Sequence, residues 1–226
     1  MLFAAGFGTR MGALVSEVPK PLLHVGGRAL IDRALDLADD AAIAQKVVNL
    51  HYLGDKIAAH LAPRNDISLS WELGQIFETG GGLRAALPHL GPGPVFTLNP
   101  DAVWVGANPL ALLRAAWDSA RMDGLLLLQP MDRVKGRTGP ADFLLAPDGR
   151  IARAGTTGRH LYLGAQIIRT EGLADIADTA FSLNRLWDQM IGNRRAYGMI
   201  YPGDWCDVGT PQGLVDAETR LASADV

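Results

Sequence analysis

Short apolar runs alternate with amphipathic stretches along the first 130 residues of the chain. The apolar runs predict strands, which we place at Met1–Ala5, Lys46–Leu50, Ile67–Trp71, Val95–Leu98 and Leu125–Gln129. Apolar residues at helical spacing predict helices between them, at Ala29–Leu37, Asp55–Leu61, Gly80–Pro88 and Pro109–Arg121. This alternation is typical of an α/β fold with a mixed, mostly parallel central sheet and helices on both of its faces.

The second half of the chain, from about residue 131, is less regular. Its predicted strands are Asp142–Leu145, Ile151–Ala154, Leu161–Ile168, Ala196–Ile200 and Trp205–Val208, and its predicted helices are Leu183–Ile191 and Pro211–Leu221. Pro147–Gly149 is typical of a hairpin turn, and Thr210 is placed to cap the last helix. Because no clear linker divides the chain, we expect residues 1–226 to form one domain.

Composition narrows the functional classes. Hydrophobic residues make up 48% of the chain and charged residues 20%, which favours a large core over disorder. The balance of 21 Lys and Arg against 24 Asp and Glu argues against a nucleic-acid binder. A single cysteine, Cys206, indicates a reducing cytoplasm, and the apolar start is too short for a signal peptide or membrane span. The first strand has no lead-in, which leaves open whether natural residues precede Met1.

The most informative motif follows the first strand. Gly6-Phe7-Gly8-Thr9-Arg10 is a glycine turn that ends in arginine, and Lys20 lies between Pro19 and Pro21. Glycines let backbone N–H groups approach a phosphate chain, while arginine and lysine neutralise its charge. The turn lacks the Gly-Lys-Ser/Thr of a Walker loop and the third glycine of a dinucleotide fingerprint. We therefore predict a triphosphate site, against the alternative of a simple strand-to-helix turn.

Two aspartates are candidate metal ligands. Asp101 directly follows one predicted strand, and Asp207 lies within another. Magnesium usually takes one or two carboxylates, with water and phosphate oxygens completing its shell. Taken alone, Asp101 is also compatible with a turn and Asp207 with a helix entry, so the residues by themselves leave both alternatives open.

These motifs resemble the signature of the sugar-1-phosphate nucleotidylyltransferases, in Ala4–Met11 and Pro19–Leu23 above all. Further matches are Glu78–Gly82, Asn99–Asp101, Phe181–Asn184 and Trp205–Pro211. Within that family, the chain is most similar to the short bacterial N-acetylmuramate-1-phosphate uridylyltransferases. The resemblance implies a Rossmann-like, GT-A-like nucleotidyltransferase fold. It also implies transfer of a nucleotidyl group from UTP to a sugar 1-phosphate, with release of pyrophosphate and with Mg²⁺ as cofactor.

The resemblance also assigns roles to residues. It implies a nucleotide-binding half of about residues 1–130 and a sugar-binding half of about 131–226. Arg10 and Lys20 are the expected catalytic groups, and Asp101 and Asp207 the expected magnesium ligands. The expected nucleotide-binding residues are Ala4, Ala5, Gly6, Gly8, Thr9, Glu78, Gly80, Gly81, Gly82 and Asn99. The expected sugar-binding residues are Gly139, Asp142 and Gly164.

The chain departs from the family pattern at three places. Pro100 replaces a usual glycine before Asp101, Ala141 interrupts a Gly-Asp-Phe motif, and Gly12-Ala13 replaces a common Arg-Pro. The alternating bases Arg133, Lys135 and Arg137 precede the predicted sugar segment that starts at Thr138, and they are either a solvated loop or contacts for the sugar phosphate.

Two other side chains have predicted structural roles, and two other functions are compatible with the motifs. His51 is expected to be a structural, hydrogen-bonded residue and Cys206 to be packed. The alternative functions are a mannose-1-phosphate guanylyltransferase and a non-catalytic nucleotide-sugar sensor. The expected partners are a nucleoside triphosphate and a sugar 1-phosphate, with neither nucleic acid nor membrane, and the expected state is a monomer or small homo-oligomer.

Overall fold

A computed structural model describes residues 1–134 and 139–224. The strands are β1 (Leu2–Phe3), β2 (His24–Val25), β3 (Arg28–Ala29), β4 (Lys46–Leu50), β5 (Ile67–Trp71), β6 (Val95–Leu98), β7 (Ala102–Val105), β8 (Gly124–Pro130), β9 (Phe143–Leu145), β10 (Ile151–Arg153), β11 (His160–Ile168), β12 (Ala196–Ile200) and β13 (Asp204–Asp207). The α-helices are α1 (Leu30–Asp40), α2 (Gly54–Leu61), α3 (Glu78–Leu90), α4 (Pro109–Ala116), α5 (Asn184–Gly192) and α6 (Pro211–Ala224).

A mixed central sheet, with nine strands among the described residues, organises the molecule. Its strand order is β10-β9-β11-β6-β1-β4-β5, and β8 continues from β11 to β12. Strands β6, β1, β4 and β5 are mutually parallel, whereas β11 runs antiparallel to β6, β8 and β9. The α/β prediction is confirmed, and the parallel strands all end at one edge of the sheet, where ligands of such folds gather.

Alternate residues of a strand point to opposite faces of the sheet, and in the buried strands both sets are largely apolar. Helices therefore cover both faces. Val48 and Leu50 of β4 pack in a cluster with Ile31 of α1, on one face. Val47, the residue before Val48, packs in a cluster with Leu83 of α3, on the other. The burial of both faces explains why the central strands are nearly continuous apolar runs in the sequence.

A second, two-stranded sheet lies beside the end of β6. β7 pairs with β13 in antiparallel register, Ala102 opposite Asp207 and Val105 opposite Asp204. The Val208 N–H extends this pairing by donating to the Asp101 carbonyl oxygen at 2.8 Å. The chain therefore brings its C-terminal segment next to Asp101.

Two predicted helix ends differ from the structure. The helix that starts at Pro109 ends at Ala116 rather than Arg121, because Trp117 is extended and the Asp118 carboxylate accepts the Ala120 N–H. Pro88 does not end α3, which continues to Leu90. Pro88 lies in the last turn of that helix, where its missing N–H removes only one intrahelical bond.

No helix in the described part of the chain combines the length and apolar character that a membrane crossing requires. The predicted cap of α6 is confirmed, since the Thr210 hydroxyl accepts the Gly213 N–H at 3.1 Å.

Gly81→Ala is expected to lower the free energy of unfolding by about 2 kcal/mol, a typical result of overpacking a filled site. A Cβ at Gly81 of α3 would lie 2.3 Å from the Thr179 carbonyl oxygen, and this backbone atom cannot turn aside as a side chain can. Gly192→Ala is the matched control, because no described atom lies within 4 Å of a Cβ built there. Urea unfolding compares the two variants, and equal stabilities would contradict close packing at Gly81.

Candidate active site

The glycine loop leaves the sheet directly after β1. Ala4 and Ala5 are buried, whereas Gly6, Thr9 and Arg10 are exposed at the edge where the parallel strands end. Gly8 has a φ of 63°, and a Cβ there would lie 3.1 Å from the Lys20 Cβ. A glycine at this position therefore allows both the left-handed turn and close contact with the Lys20 segment.

Lys20 is held rigidly beside the loop. Pro19 and Pro21 fix the backbone on either side, and the Leu22 N–H donates to the Pro19 carbonyl oxygen at 2.8 Å. The Lys20 side chain is 10% exposed, and its Nζ lies 2.6 Å from Oδ2 of Asp101. An ammonium and a carboxylate predicted to act at one site thus form an ion pair there.

The loop and this ion pair enclose one cleft, which we call the loop cleft. It is lined by Phe3, Ala4, Gly6, Gly8, Thr9, Arg10, Lys20, Pro21, Pro100, Asp101 and Gly209. An adjoining cleft lies against the start of α3, and we call it the helix cleft. It is lined by Phe3, Ala5, Gly6, Asn49, Glu72, Ile76, Glu78, Thr79, Asn99 and Asp101. Because Phe3, Gly6 and Asp101 border both, the two clefts are neighbouring parts of one depression.

The three glycines of α3 lie behind the helix cleft, where they are buried. A Cβ at Gly80 would lie 2.4 Å from the Phe181 ring, and one at Gly82 would lie 2.6 Å from Oε1 of Glu72. Their surfaces are thus covered by protein atoms, and Glu78 and Thr79 are the residues of this motif that line the cleft. The glycines allow close packing of α3, and their direct contact with a ligand stays a prediction.

Asp207 lies close to the loop cleft, because its carboxylate is next to Gly209, a residue that lines the cleft. Its Oδ2 would be 2.7 Å from a Cβ built at Gly209, which lines that cleft. Ala102, the residue after Asp101, pairs with Asp207 across β7 and β13. Within the described ranges no cluster of three or more His, Cys, Asp or Glu side chains is placed to hold a metal ion. Two carboxylates beside the loop cleft suit magnesium, which takes its remaining ligands from water and phosphate.

Comparison with known proteins settles the family. Residues 1–137 match the model of the MobA-like NTP transferase domain. The chain is 41% identical over 236 residues to N-acetylmuramate alpha-1-phosphate uridylyltransferase of Caulobacter vibrioides, covering 99% of this chain and 97% of that protein. The protein of the same name from Neisseria meningitidis serogroup B is 32% identical over 234 residues, covering 99% and 98%. The chain belongs to the MobA-like NTP transferase family.

Solved structures agree on the fold of this nucleotidyltransferase. A putative glucose-1-phosphate thymidylyltransferase from Bacillus anthracis superposes with a TM-score of 0.79 at 15% identity, covering 100% of this chain and 94% of that one. A UDP-glucose pyrophosphorylase complexed with UDP-glucose gives 0.76 at 15% identity, covering 98% and 97%. The predicted Rossmann-like fold and the predicted family of sugar-1-phosphate nucleotidylyltransferases are both confirmed. Members of this family generally use a divalent metal.

The residues predicted to bind the sugar are not among the residues that line the two clefts. Gly164 lies in an irregularity of β11, where its carbonyl oxygen accepts the Asn99 N–H at 2.8 Å. The Asp142 carboxylate accepts the Tyr162 N–H at 2.9 Å, so it orients the same strand. Gly139 is exposed, and Lys135, Arg137 and Thr138 lie outside the described residues.

Two side chains near the site have structural environments, as predicted. His51 Nδ1 lies 2.8 Å from the Glu72 carbonyl oxygen. Cys206 is buried in β13, and burial raises the pKa of its thiol. A buried, protonated thiol is a poor nucleophile.

Sequence reasoning missed two polar residues of the helix cleft. Asn49 and Glu72 are buried and line the helix cleft. The sequence contained a signal for Asn49, since an asparagine interrupts the buried strand Lys46–Leu50. A polar side chain inside a fully buried strand needs specific partners, and it therefore indicates either a buried network or a site.

Proposed function

We propose that the protein transfers a uridylyl group from UTP to a sugar 1-phosphate, releasing pyrophosphate and forming a UDP-sugar. N-acetylmuramate 1-phosphate or a related hexosamine phosphate is the proposed acceptor, in keeping with the names of the two bacterial relatives. The observation that supports this best is the convergence of Arg10, Lys20 and Asp101 on the loop cleft. That convergence combines phosphate-binding cations with a metal-binding carboxylate.

The triphosphate occupies the loop cleft in this proposal. Backbone N–H groups of Gly6, Gly8 and Thr9 bind its oxygens, with Ala4 and Ala5 forming the base of the loop. Arg10 holds the departing pyrophosphate with a forked, permanently charged donor. Lys20 holds the region of the α-phosphate, where a point charge next to the reacting phosphorus stabilises the transition state.

The base occupies the helix cleft. Glu78, Thr79 and Asn99 provide polar groups there, while Gly80, Gly81 and Gly82 let α3 approach closely from behind. The sugar phosphate enters from the side of Gly164 and Asp142, with Gly139 beyond them. The chain thus acts as one domain, whose first 130 residues hold the nucleotide and whose remainder holds the sugar.

Asp101 and Asp207 would hold the divalent ion. Magnesium bound there supplies charge neutralisation between two phosphate groups, worth several kcal/mol. The protein residues orient the acceptor phosphate oxygen in line with the α-phosphorus, so that one bond forms as the bond to pyrophosphate breaks. No protein nucleophile is required, which agrees with the buried state of Cys206.

The base preference tests the proposed nucleotide. With a fixed sugar 1-phosphate, we expect kcat/KM for UTP to exceed that for GTP by at least about tenfold, since hydrogen bonds to one base leave polar groups unpaired with another. Pyrophosphate release measured in parallel with four triphosphates gives the comparison. A GTP preference would instead support a mannose-1-phosphate guanylyltransferase, and nucleotide binding without any turnover would support a sensor.

A further inference from the structure

A chain of buried hydrogen bonds runs behind both clefts. Asn49 on β4 and Glu72 after β5 are only 3% and 2% exposed. Asn49 Oδ1 accepts the Ala4 N–H at 2.8 Å, and its Nδ2 donates to Oε1 of Glu72 at 2.6 Å. Oε2 of Glu72 then accepts the Phe77 N–H at 2.6 Å. Three consecutive hydrogen bonds thus join the start of the glycine loop to the residue before α3.

The two ends of this chain are the segments that form the two clefts. Ala4 begins the loop, and Phe77 precedes Glu78 and Thr79, which line the helix cleft. Glu78 has a φ of 58°, a left-handed conformation that a glutamate keeps only when its surroundings hold it. The hydrogen bond from the Phe77 N–H to Glu72 is one of the contacts that fix this turn.

The chemistry of the pair also argues for a functional use. A buried carboxylate is costly unless each oxygen finds a donor, and the two oxygens of Glu72 accept one bond each. Gly82 adds to the constraint, because its notional Cβ would lie 2.6 Å from Oε1 of Glu72 and 2.9 Å from Nδ2 of Asn49. The pair therefore fixes α3, the loop and the strands between them at one spacing.

We propose that Asn49 and Glu72 are positioning residues that set the distance between the glycine loop and the turn before α3. This inference rests on the proposed function, in which the triphosphate binds the loop and the base binds the turn. A nucleotide must reach both segments at once, so their spacing determines its affinity. The pair acts through the backbone of Ala4 and Phe77 rather than by contact with the reacting atoms.

Exchange of the two side-chain types gives a sharp test. In Glu72→Gln, a side-chain amide N–H must face either Asn49 Nδ2 or the Phe77 N–H, so one donor meets another. In Asn49→Asp, two carboxylates face each other.

The variant that combines both changes restores every bond. Its carboxylate on β4 accepts from the Ala4 N–H and from the new side-chain amide after β5, and the oxygen of that amide accepts the Phe77 N–H. We expect each single variant to raise the Kd for UTP at least about tenfold, and the double variant to return within about threefold of the parent.

The measurements separate positioning from folding. Calorimetry gives the Kd for UTP without sugar phosphate, steady-state kinetics gives KM and kcat, and thermal unfolding gives stability. Trp187→Phe is the matched control, since it removes another buried bond, from Nε1 to Oε1 of Gln166 at 2.8 Å, which joins neither segment. This control is expected to lower Tm while leaving the Kd for UTP within about twofold.

Each outcome decides the inference. Single variants that lose stability but keep the parental Kd would show that the pair only supports the fold, and would overturn it. A double variant that stays as weak as Glu72→Gln would show that the carboxylate itself is needed at position 72, which also overturns it. If the parent protein neither binds nor turns over any nucleoside triphosphate, the proposed function fails instead. That result is visible before any variant is made.

Discussion

Asp101→Asn and Asp207→Asn are each expected to lower kcat about a thousandfold. Loss of a metal-binding carboxylate removes several kcal/mol of charge stabilisation, and each 1.36 kcal/mol corresponds to a factor of ten. The double variant should be far more active than the product of the single losses predicts, because either change already disables the same ion. Steady-state turnover at saturating UTP and sugar phosphate, over a series of magnesium concentrations, measures all three variants.

Asp204→Asn is the matched control for these variants. Asp204 lies at the opposite end of β13, and its side chain is 67% exposed. We expect its turnover to stay within about twofold of the parent, since surface substitutions away from a site have small effects. Strictly multiplicative losses for Asp101→Asn and Asp207→Asn would mean that the two carboxylates act on different events, and would contradict a shared ion.

Lys20→Ala is expected to lower kcat by roughly two to three orders of magnitude, as removal of one preorganised charge does in other enzymes. The charge matters more as pyrophosphate departs than in the ground state, so KM for UTP should change less than kcat. The magnesium concentration for half-maximal activity should not rise, because Asp101 loses the ammonium that lies 2.6 Å away. In the aspartate variants that concentration should rise.

Lys20→Met separates the ammonium from the packing of the lysine stem. Methionine retains an unbranched apolar side chain, and the Lys20 side chain is only 10% exposed, so its stem contributes contacts of its own. Equal losses of kcat in Lys20→Ala and Lys20→Met would assign the effect to the charge. Unchanged turnover in either folded variant would end the catalytic role of Lys20.

Local pattern was enough to predict the bounds of several strands in the central sheet. The bounds of β4, β5, β6 and β12 agree with those predicted from apolar runs. β7 was missed, because Ala102–Val105 is a short strand whose partner, β13, lies far away in the sequence. The hairpin of β2 and β3 was missed too, although Gly26 and Gly27 at its turn both have positive φ. Two-residue strands are too short for periodicity to reveal.

The site residues could be predicted where the side chain itself indicates a function, as a cation indicates phosphate binding and a carboxylate indicates metal binding. Arg10, Lys20 and Asp101 were predicted to act together, and all three line the loop cleft. Packing relations were not predictable in this way. Which atoms cover Gly80 depends on Phe181, a residue from the other half of the chain. The link from Asn49 to Glu72 likewise depends on strand order, which no local pattern records.

The pairing of β7 with β13 has a consequence for the order in which the molecule folds. The two strands close a loop of about a hundred residues. The chain entropy lost in closing that loop must be overcome before the pairing of β7 with β13 can form. Strands β1, β4 and β5 pair with one another over shorter separations in sequence and can associate earlier. Asp207 reaches Asp101 only when β13 docks, late in synthesis, since chains emerge from the ribosome N-terminal end first. Nascent and partly folded chains thus contain the glycine loop before Asp207 is in place, so the proposed transfer reaction begins only when folding is nearly finished.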